Sequence, residues 1–241
     1  VKKVSLTGFV VLMLAVKALP ACAGTKALML STWEEIAGNH EIVATGTALR
    51  LFSKKSHTTL IAKAPDWRVH FFNGEKNVMY ECSVDEWRNP FGLIVSFTLN
   101  SRFSSEPPVF MDSCKIAGIA AKRYQVTAQQ EHTVDGRLAG VRKQKADYYV
   151  TDSKLNLPIP LCRILQKTFA MPFVDGVPLM LVVRGDWGTK LKTEEAHVAS
   201  VNPALFELPK NMQKVKSASD VMVGNNPLLN DFTNSIFDAR H

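Results

Sequence analysis

The chain has 241 residues, 46% of them hydrophobic and 21% charged, with a net charge of +7 at neutral pH. That hydrophobic fraction belongs to an ordinary globular protein and excludes the need for a metal or dense disulfides to hold a core. No basic module interleaved with aromatic residues appears, so nucleic acid is not expected as a partner.

Val1 to Ala23 reads as an export signal. Lys2 and Lys3 give a positive start, and Val4 to Val16 is mostly apolar. Ala21-Cys22-Ala23 then places small residues at the two subsites a signal peptidase reads, so cleavage is expected before Gly24. The apolar stretch is shorter than the about 20 residues of a membrane span. Leu19-Pro20-Ala21-Cys22 also resembles a lipobox, which makes lipid anchoring at Cys22 the competing reading. The expected product is a periplasmic or extracellular protein of 218 residues, with 26 basic against 22 acidic side chains. A net charge of +4 permits contact with anionic headgroups without arguing for it.

Residues 25 to 38 read as a short helix, with Leu28, Leu30, Trp33 and Ile36 near one face. Glu41 to Phe52 and Thr58 to Ala64 read as strands around the polar turn 53–56, and Pro65 breaks the ladder because it cannot donate a backbone hydrogen bond. Trp67, Val69 and Phe71 alternate with Arg68 and His70, the period of a half-buried strand. Asn73-Gly74 then turns the chain into a strand from Lys76 to Cys82. Val84 to Arg88 reads as one helical turn, Phe91 to Leu99 as an apolar segment that is either helix or strand, and Ser101 to Pro108 as a loop. Ile119 to Ala128 and Lys143 to Thr151 are strands joined by a charged connection, Gln129 to Arg142. A helix is expected over Pro160 to Phe169, with proline in its first turn. Leu179 to Arg184 and Thr189 to Val201 are the last strands, Asn202 to Leu208 a closing turn, and Ser217 to His241 a loosely ordered tail. One domain, residues 24–216, is therefore expected: an α+β arrangement of a long antiparallel sheet with helices on one face.

Cys82, Cys114 and Cys162 follow the leader. Export favours one disulfide, and Cys82 with Cys114 is the expected pair because both flank strands. Closing that loop of about 30 residues adds roughly 3–4 kcal/mol on a chain-entropy account. Cys162 reads as a small buried hydrophobe. No nucleophile elbow, paired-histidine zinc motif, phosphate loop or dinucleotide fingerprint occurs, so no catalytic residue, cofactor or metal site is expected. His57 facing His70, and Glu195 beside His197, read as surface polars, as do Asp85-Glu86, Asp147, Asp152 and Glu194. Arg137, Arg142, Lys143 and Lys145 form a basic stretch that reads as a charged hairpin tip, with lipid headgroups as the alternative contact.

Leu179 to Val183 is apolar on both faces, and such a strand needs a cover on each side; Phe91, Leu93, Ile94, Val95, Phe97 and Leu99 make a second dense apolar segment. Several segments carry a family likeness: Glu41 to Phe52, Ala64-Pro65-Asp66-Trp67-Arg68-Val69, Lys115-Ile116-Ala117-Gly118, Tyr148-Tyr149-Val150-Thr151, Gly176-Val177-Pro178-Leu179 and Asn202-Pro203-Ala204-Leu205-Phe206-Glu207-Leu208-Pro209. Together they resemble the exported proteins of the outer-membrane lipoprotein-carrier superfamily and its uncharacterised secreted relatives. The resemblance implies a half-open antiparallel barrel with helices plugging the mouth and an apolar cavity that receives acyl chains. Its motifs are structural punctuation, so the scaffold carries over and a transfer activity does not.

The expectation is a non-enzymatic, monomeric protein that holds a lipid-like or other apolar ligand in a concave sheet. Its lining residues would be Trp67, Val69, Phe71, Phe97, Leu179, Leu181 and Val183. The first alternative is an interaction or sensor module with a filled core that meets an envelope protein. The second is an unrecognised enzyme using His57, His70 and Asp66.

Overall fold

The computed structural model describes residues 24–90, 101–103, 106–134, 137–185 and 188–223. Val1 to Ala23, and so the expected leader and Cys22, lie outside them, as does the segment Phe91 to Leu99 with Phe97.

The fold is mainly β, a single large open sheet with few helices, so α+β holds only loosely. The strands are β1 (Thr25–Glu34), β2 (Gly38–Ala44), β3 (Ala48–Ser53), β4 (Thr58–Lys63), β5 (Val69–Asn73), β6 (Val78–Cys82), β7 (Ser101–Phe103), β8 (Val109–Ile116), β9 (Ile119–Val134), β10 (Arg137–Thr151), β11 (Pro178–Val183), β12 (Gly188–Val201) and β13 (Gln213–Lys214). Helix α1 (Ile159–Thr168) lies between β10 and β11, and α2 (Ala218–Val223) follows β13. Spatial order runs β13-β6-β5-β4-β3-β2-β1-β12-β11-β10-β9, with β7 and β8 both against β9. Every pairing is antiparallel except β13 on β6. Strand β1 joins the halves, taking β2 on one side and β12 on the other.

Several elements differ from the sequence reading. Residues 25–34 are strand and not helix: Leu28, Leu30, Thr32 and Glu34 are buried in strict alternation, and two partner strands override the helix-forming Ala-Leu-Met-Leu run. The stretch Glu41 to Phe52 is two strands, folded at Thr45, whose hydroxyl accepts from the backbone N–H of Thr47 (3.2 Å) and Ala48 (2.8 Å). The loop after Asn73 spans four residues, and Asn77 (φ 55°) supplies its left-handed position. Trp67 belongs to the turn before β5 and not to the strand. Residues 84–86 form a turn. Much of the expected connection Gln129 to Arg142 is paired strand, because β9 and β10 continue together as far as Val134 and Arg137. Residues 109–116, which carried no expectation, form β8.

Register arranges the main core in rows. Leu30, Ile42, Leu51, Leu60, Phe71 and Tyr80 face one another across β1 to β6. One step along, Leu28, Ala44, Leu49, Ala62, Val69 and Cys82 form a slimmer row. On the other side lies a buried polar row of Thr193, Thr32, His40, Ser53, Thr58 and Asn73. Its hydroxyls bond locally, as between Thr32 and Thr193 (3.2 Å) and between Ser56 and Thr58 (2.7 Å). Each large apolar side chain so buried contributes about 1.5–3 kcal/mol.

Helix α1 covers this face. Its Leu161, Ile164 and Leu165 are fully buried in the same cluster as Leu51, Phe71 and Leu181. A smaller cluster on the opposite face packs Phe206 against Ala27, Val43, Ala48 and Val201. From Phe206 the chain rounds the β6 edge, where Val215 N–H donates to Met79 O (2.9 Å) and Lys214 pairs with Glu81 (3.0 Å). It then enters α2, with Val221 buried in the main core. Of the expected loose tail, residues 217–223 are placed against that edge by β13 and α2, and residues 224–241 lie outside the described residues.

Candidate functional site

Six of the seven expected lining residues can be placed, and all six are buried in the main core: Trp67, Val69, Phe71, Leu179, Leu181 and Val183. The protein's own Leu161, Ile164, Leu165, Trp87 and Phe169 occupy that face. Of the six, Trp67 also borders a cavity.

That cavity, about 330 Å³, lies between the β4–β5 turn, the turn after β6 and the first turn of α1. Three segments far apart in sequence build it. In the first, a cis Ala64–Pro65 bond and a left-handed Trp67 (φ 52°) carry the chain round, and Trp67 N–H donates to Lys63 O (2.8 Å). The indole is 7% exposed and forms the inner wall. In the second, Ser83 and Glu86 make a reciprocal cap. Ser83 donates to Glu86 Oε2 from its backbone (2.9 Å) and its hydroxyl (2.8 Å), and Glu86 N–H donates to Ser83 Oγ (3.3 Å). The Ser83 bonds hold the Glu86 carboxyl below its ordinary range. In the third, α1 begins after Pro158 and turns Ile159, Pro160 and Arg163 toward the space.

The walls are tied together. Lys167 Nζ donates to the carbonyls of Val84 (2.7 Å) and Asp85 (2.9 Å), and burial lowers its pKa. Arg163 approaches Asp85 at 3.6 Å and lies over the Phe173 ring at 5.2 Å. The cavity thus has an apolar wall of Pro65, Trp67, Val84 and Ile159, with Asp66, Asp85 and Arg163 supplying both signs of charge. Ile159 at its rim is 56% exposed. Such a space suits an apolar group with a polar end.

The other expected residues do not converge. His57 pairs with Glu75 (2.7 Å) beyond the Thr58–Asn73 rung, whereas His70 pairs with Ile61, three rungs away. Asp66 is at the cavity and His57 is not. Asp147 bonds Arg184, and Asp152 caps the 3-10 turn Ser153–Leu155. Lys143 and Lys145 are exposed on β10, and the side chains of Arg137 and Arg142 lie outside the described residues. Among the described residues, no three His, Cys, Asp or Glu side chains gather to hold a metal.

The expected Cys82–Cys114 bridge is absent: Cys82, Cys114 and Cys162 are free thiols. Cys82 ends β6 and Cys114 sits in β8, strands near opposite ends of the sheet order, so strand-flanking position was no guide to proximity. Burial pushes the Cys162 thiol up to about 11. Sequence reading missed Glu34, a buried carboxylate that accepts from Ile36 (3.1 Å) and Ala37 (2.6 Å) and closes the β1–β2 turn. Its place in the alternation of β1 was the available signal.

No protein-family model matches the chain, and no curated protein does. Among solved structures it is similar to an uncharacterised conserved protein from Thermus thermophilus, at 11% identity and a TM-score of 0.31. The match covers 80% of this chain and 91% of that one.

Proposed function

We propose that this protein is an exported, non-enzymatic binder of a lipid-like or other apolar ligand, with its sheet curved as a half-open barrel and the ligand's apolar part seated beside Trp67. The observation that carries the reading is the cavity of about 330 Å³, where an indole wall meets a rim of two carboxylates and one guanidinium. Mixed charge at the rim suits a neutral or zwitterionic polar end better than a strongly anionic one. Native mass spectrometry of the purified protein, with uptake of a fluorescent fatty acid and of a fluorescent lysophosphatidylcholine, tests it. Uptake is expected, stronger for the zwitterion, and Val84→Trp, which fills the space, should abolish it. Protein that carries no acyl species and takes up neither probe removes the reading. Export is tested separately, by sequencing the mature N-terminus: Gly24 is expected, and a lipidated Cys22 marks anchoring.

A second reading is favoured by the packing of Val69, Phe71, Leu179, Leu181 and Val183 against the chain's own side chains. It makes the protein an interaction or sensor module with a filled core, facing an envelope protein with its surface. Absence of ligand together with a specific protein partner at the purified domain selects it.

A further inference from the structure

The charges around the Trp67 cavity are sorted by wall. On the side built by α1 and the turn after β6, three cations gather on one stretch of backbone. Lys167 Nζ donates to the carbonyls of Val84 and Asp85, and Arg88 donates to those of Asp85 and Trp87. Arg163 stands at the cavity itself, and burial, Arg88 and Arg163 together lower the Lys167 pKa. The carboxylates on this side do not balance the three. Glu86 is spent on Ser83, and Asp85, its side chain 88% exposed, meets Arg163 at 3.6 Å.

The β4–β5 turn carries the opposite sign. Among the described residues Asp66 makes no hydrogen bond or ion pair, and the nearest base along the chain, Arg68, pairs with Glu81 at 2.6 Å. Beside Asp66 the Trp67 indole forms the inner wall, held by a left-handed backbone (φ 52°) that a bulky side chain seldom adopts. Strain of that kind persists at binding sites, where it fixes a group in place.

We propose that this cavity reads a headgroup pairing a phosphodiester with an alkylammonium, the phosphocholine and phosphoethanolamine class. The ammonium sits between Asp66 and the Trp67 indole, and the phosphate at Arg163. This rests on the proposed ligand binding and names the polar end within it. A carboxylate beside an aromatic face attracts an alkylammonium by charge and by the ring quadrupole. The Arg163 guanidinium matches phosphate oxygens, and Arg88 and Lys167 add positive potential beside it. A purely anionic end satisfies Arg163 and is repelled by Asp66, and a purely cationic end does the reverse.

The test is isothermal titration calorimetry of the purified protein with three amphiphiles of one chain length, each below its micelle concentration: dodecylphosphocholine, dodecyl phosphate and dodecyltrimethylammonium. Dodecylphosphocholine is expected to bind at least about tenfold more tightly than either of the others. The substitutions should cross. Asp66→Asn should weaken dodecylphosphocholine and dodecyltrimethylammonium at least about fivefold without weakening dodecyl phosphate. Arg163→Gln should weaken dodecylphosphocholine and dodecyl phosphate by a similar factor without weakening dodecyltrimethylammonium. Both residues are exposed, so the thermal midpoint should hardly move. Equal affinity for the three, tighter binding of either other amphiphile, or a substitution that moves all three alike or none, overturns the headgroup assignment and leaves an apolar ligand in place. Binding of none of them removes the lipid reading and this assignment together.

Discussion

Trp87 donates its indole N–H to Thr168 Oγ1 at 2.9 Å, and Thr168 in turn donates to the carbonyl of Ile164 at 2.8 Å. This joins the turn after β6 to the last turn of α1 inside the main core, with the indole tilted over Phe71 at 5.4 Å. The bond therefore fixes one end of the helix whose other end borders the cavity.

Thr168→Val keeps the shape and removes the acceptor, leaving a fully buried N–H unpaired. A loss of about 1–3 kcal/mol is expected, seen as a lower urea midpoint at constant slope. In a Trp87→Phe background the same substitution should cost far less, since no donor remains. Equal costs in both backgrounds would show that the indole bond does not hold α1.

Gly176 occupies a place only glycine fits. Its φ is +132°, and a Cβ there would lie 2.5 Å from Thr151 O and 3.0 Å from Val150 Cβ. Its carbonyl accepts from Gln166 Nε2 at 2.9 Å, and Val177 N–H donates to Thr151 Oγ1 at 3.0 Å, so the loop cannot shift freely. Gly176→Ala should cost at least about 2 kcal/mol in thermal or urea unfolding. Gly74→Ala, with open space around it, should fall within about 0.5 kcal/mol of wild type.

How much of this was legible in the sequence depends on distance along the chain. Helix α1 and strands β4, β6, β11 and β12 carry local signals, and their ends fall within a residue or two of the expected ones. Strand β1 was misread because its residues favour helix and its pairing on both sides, with β2 across the next turn (Thr32 beside His40) and with β12 far along the chain (Thr32 beside Thr193), makes it a strand. The β2–β3 turn was hidden inside a Val- and Leu-rich run because Thr-Gly-Thr turns tightly through one hydroxyl. Charge on Gln129 to Arg142 suggested a loop, yet the backbones of β9 and β10 stay paired through most of it. Trp67 was found as an apolar wall by the wrong route, as a strand residue. The cavity itself has no linear signature, since residues 65–67, 83–85 and 159–163 meet only in the fold.

The thiols give a prediction about oxidation. Burial raises the pKa of all three, but Cys82 and Cys162 are buried whereas Cys114 is partly open on β8. Under non-reducing conditions at pH 8, a small alkylating reagent should label Cys114 at least about tenfold faster than the other two, by peptide mass spectrometry. Cys82→Ser and Cys114→Ser together should not reproduce the roughly 3–4 kcal/mol loss expected on opening a disulfide. Recovery of a peptide cross-linked through Cys82 and Cys114 from air-oxidised protein would restore the bridge.

The polar row gives the fold an acid limit. His40 is fully buried between Thr32 and Ser53, edge-on to Phe169 at 5.2 Å, and burial lowers its pKa from the ordinary 6.5 to about 4. The unfolded chain therefore takes up a proton below pH 6.5 that the folded chain refuses until about pH 4. Stability linked to this group is whole above pH 6.5, falls as the pH drops toward 4, and is level below that. The gap corresponds to on the order of 3 kcal/mol. Burial also lowers His70, which acts in the same direction. The Glu81 carboxyl, held down by Lys214 and then Arg68, adds its own loss only as the pH falls below its ordinary 4.5. Urea unfolding at pH 7, 6 and 5 should thus show a steady loss, and His40→Leu should flatten most of it while keeping the fold. If wild type and His40→Leu decline in parallel over that range, the imidazole is not the group that sets the acid limb, and the row must be protonated elsewhere.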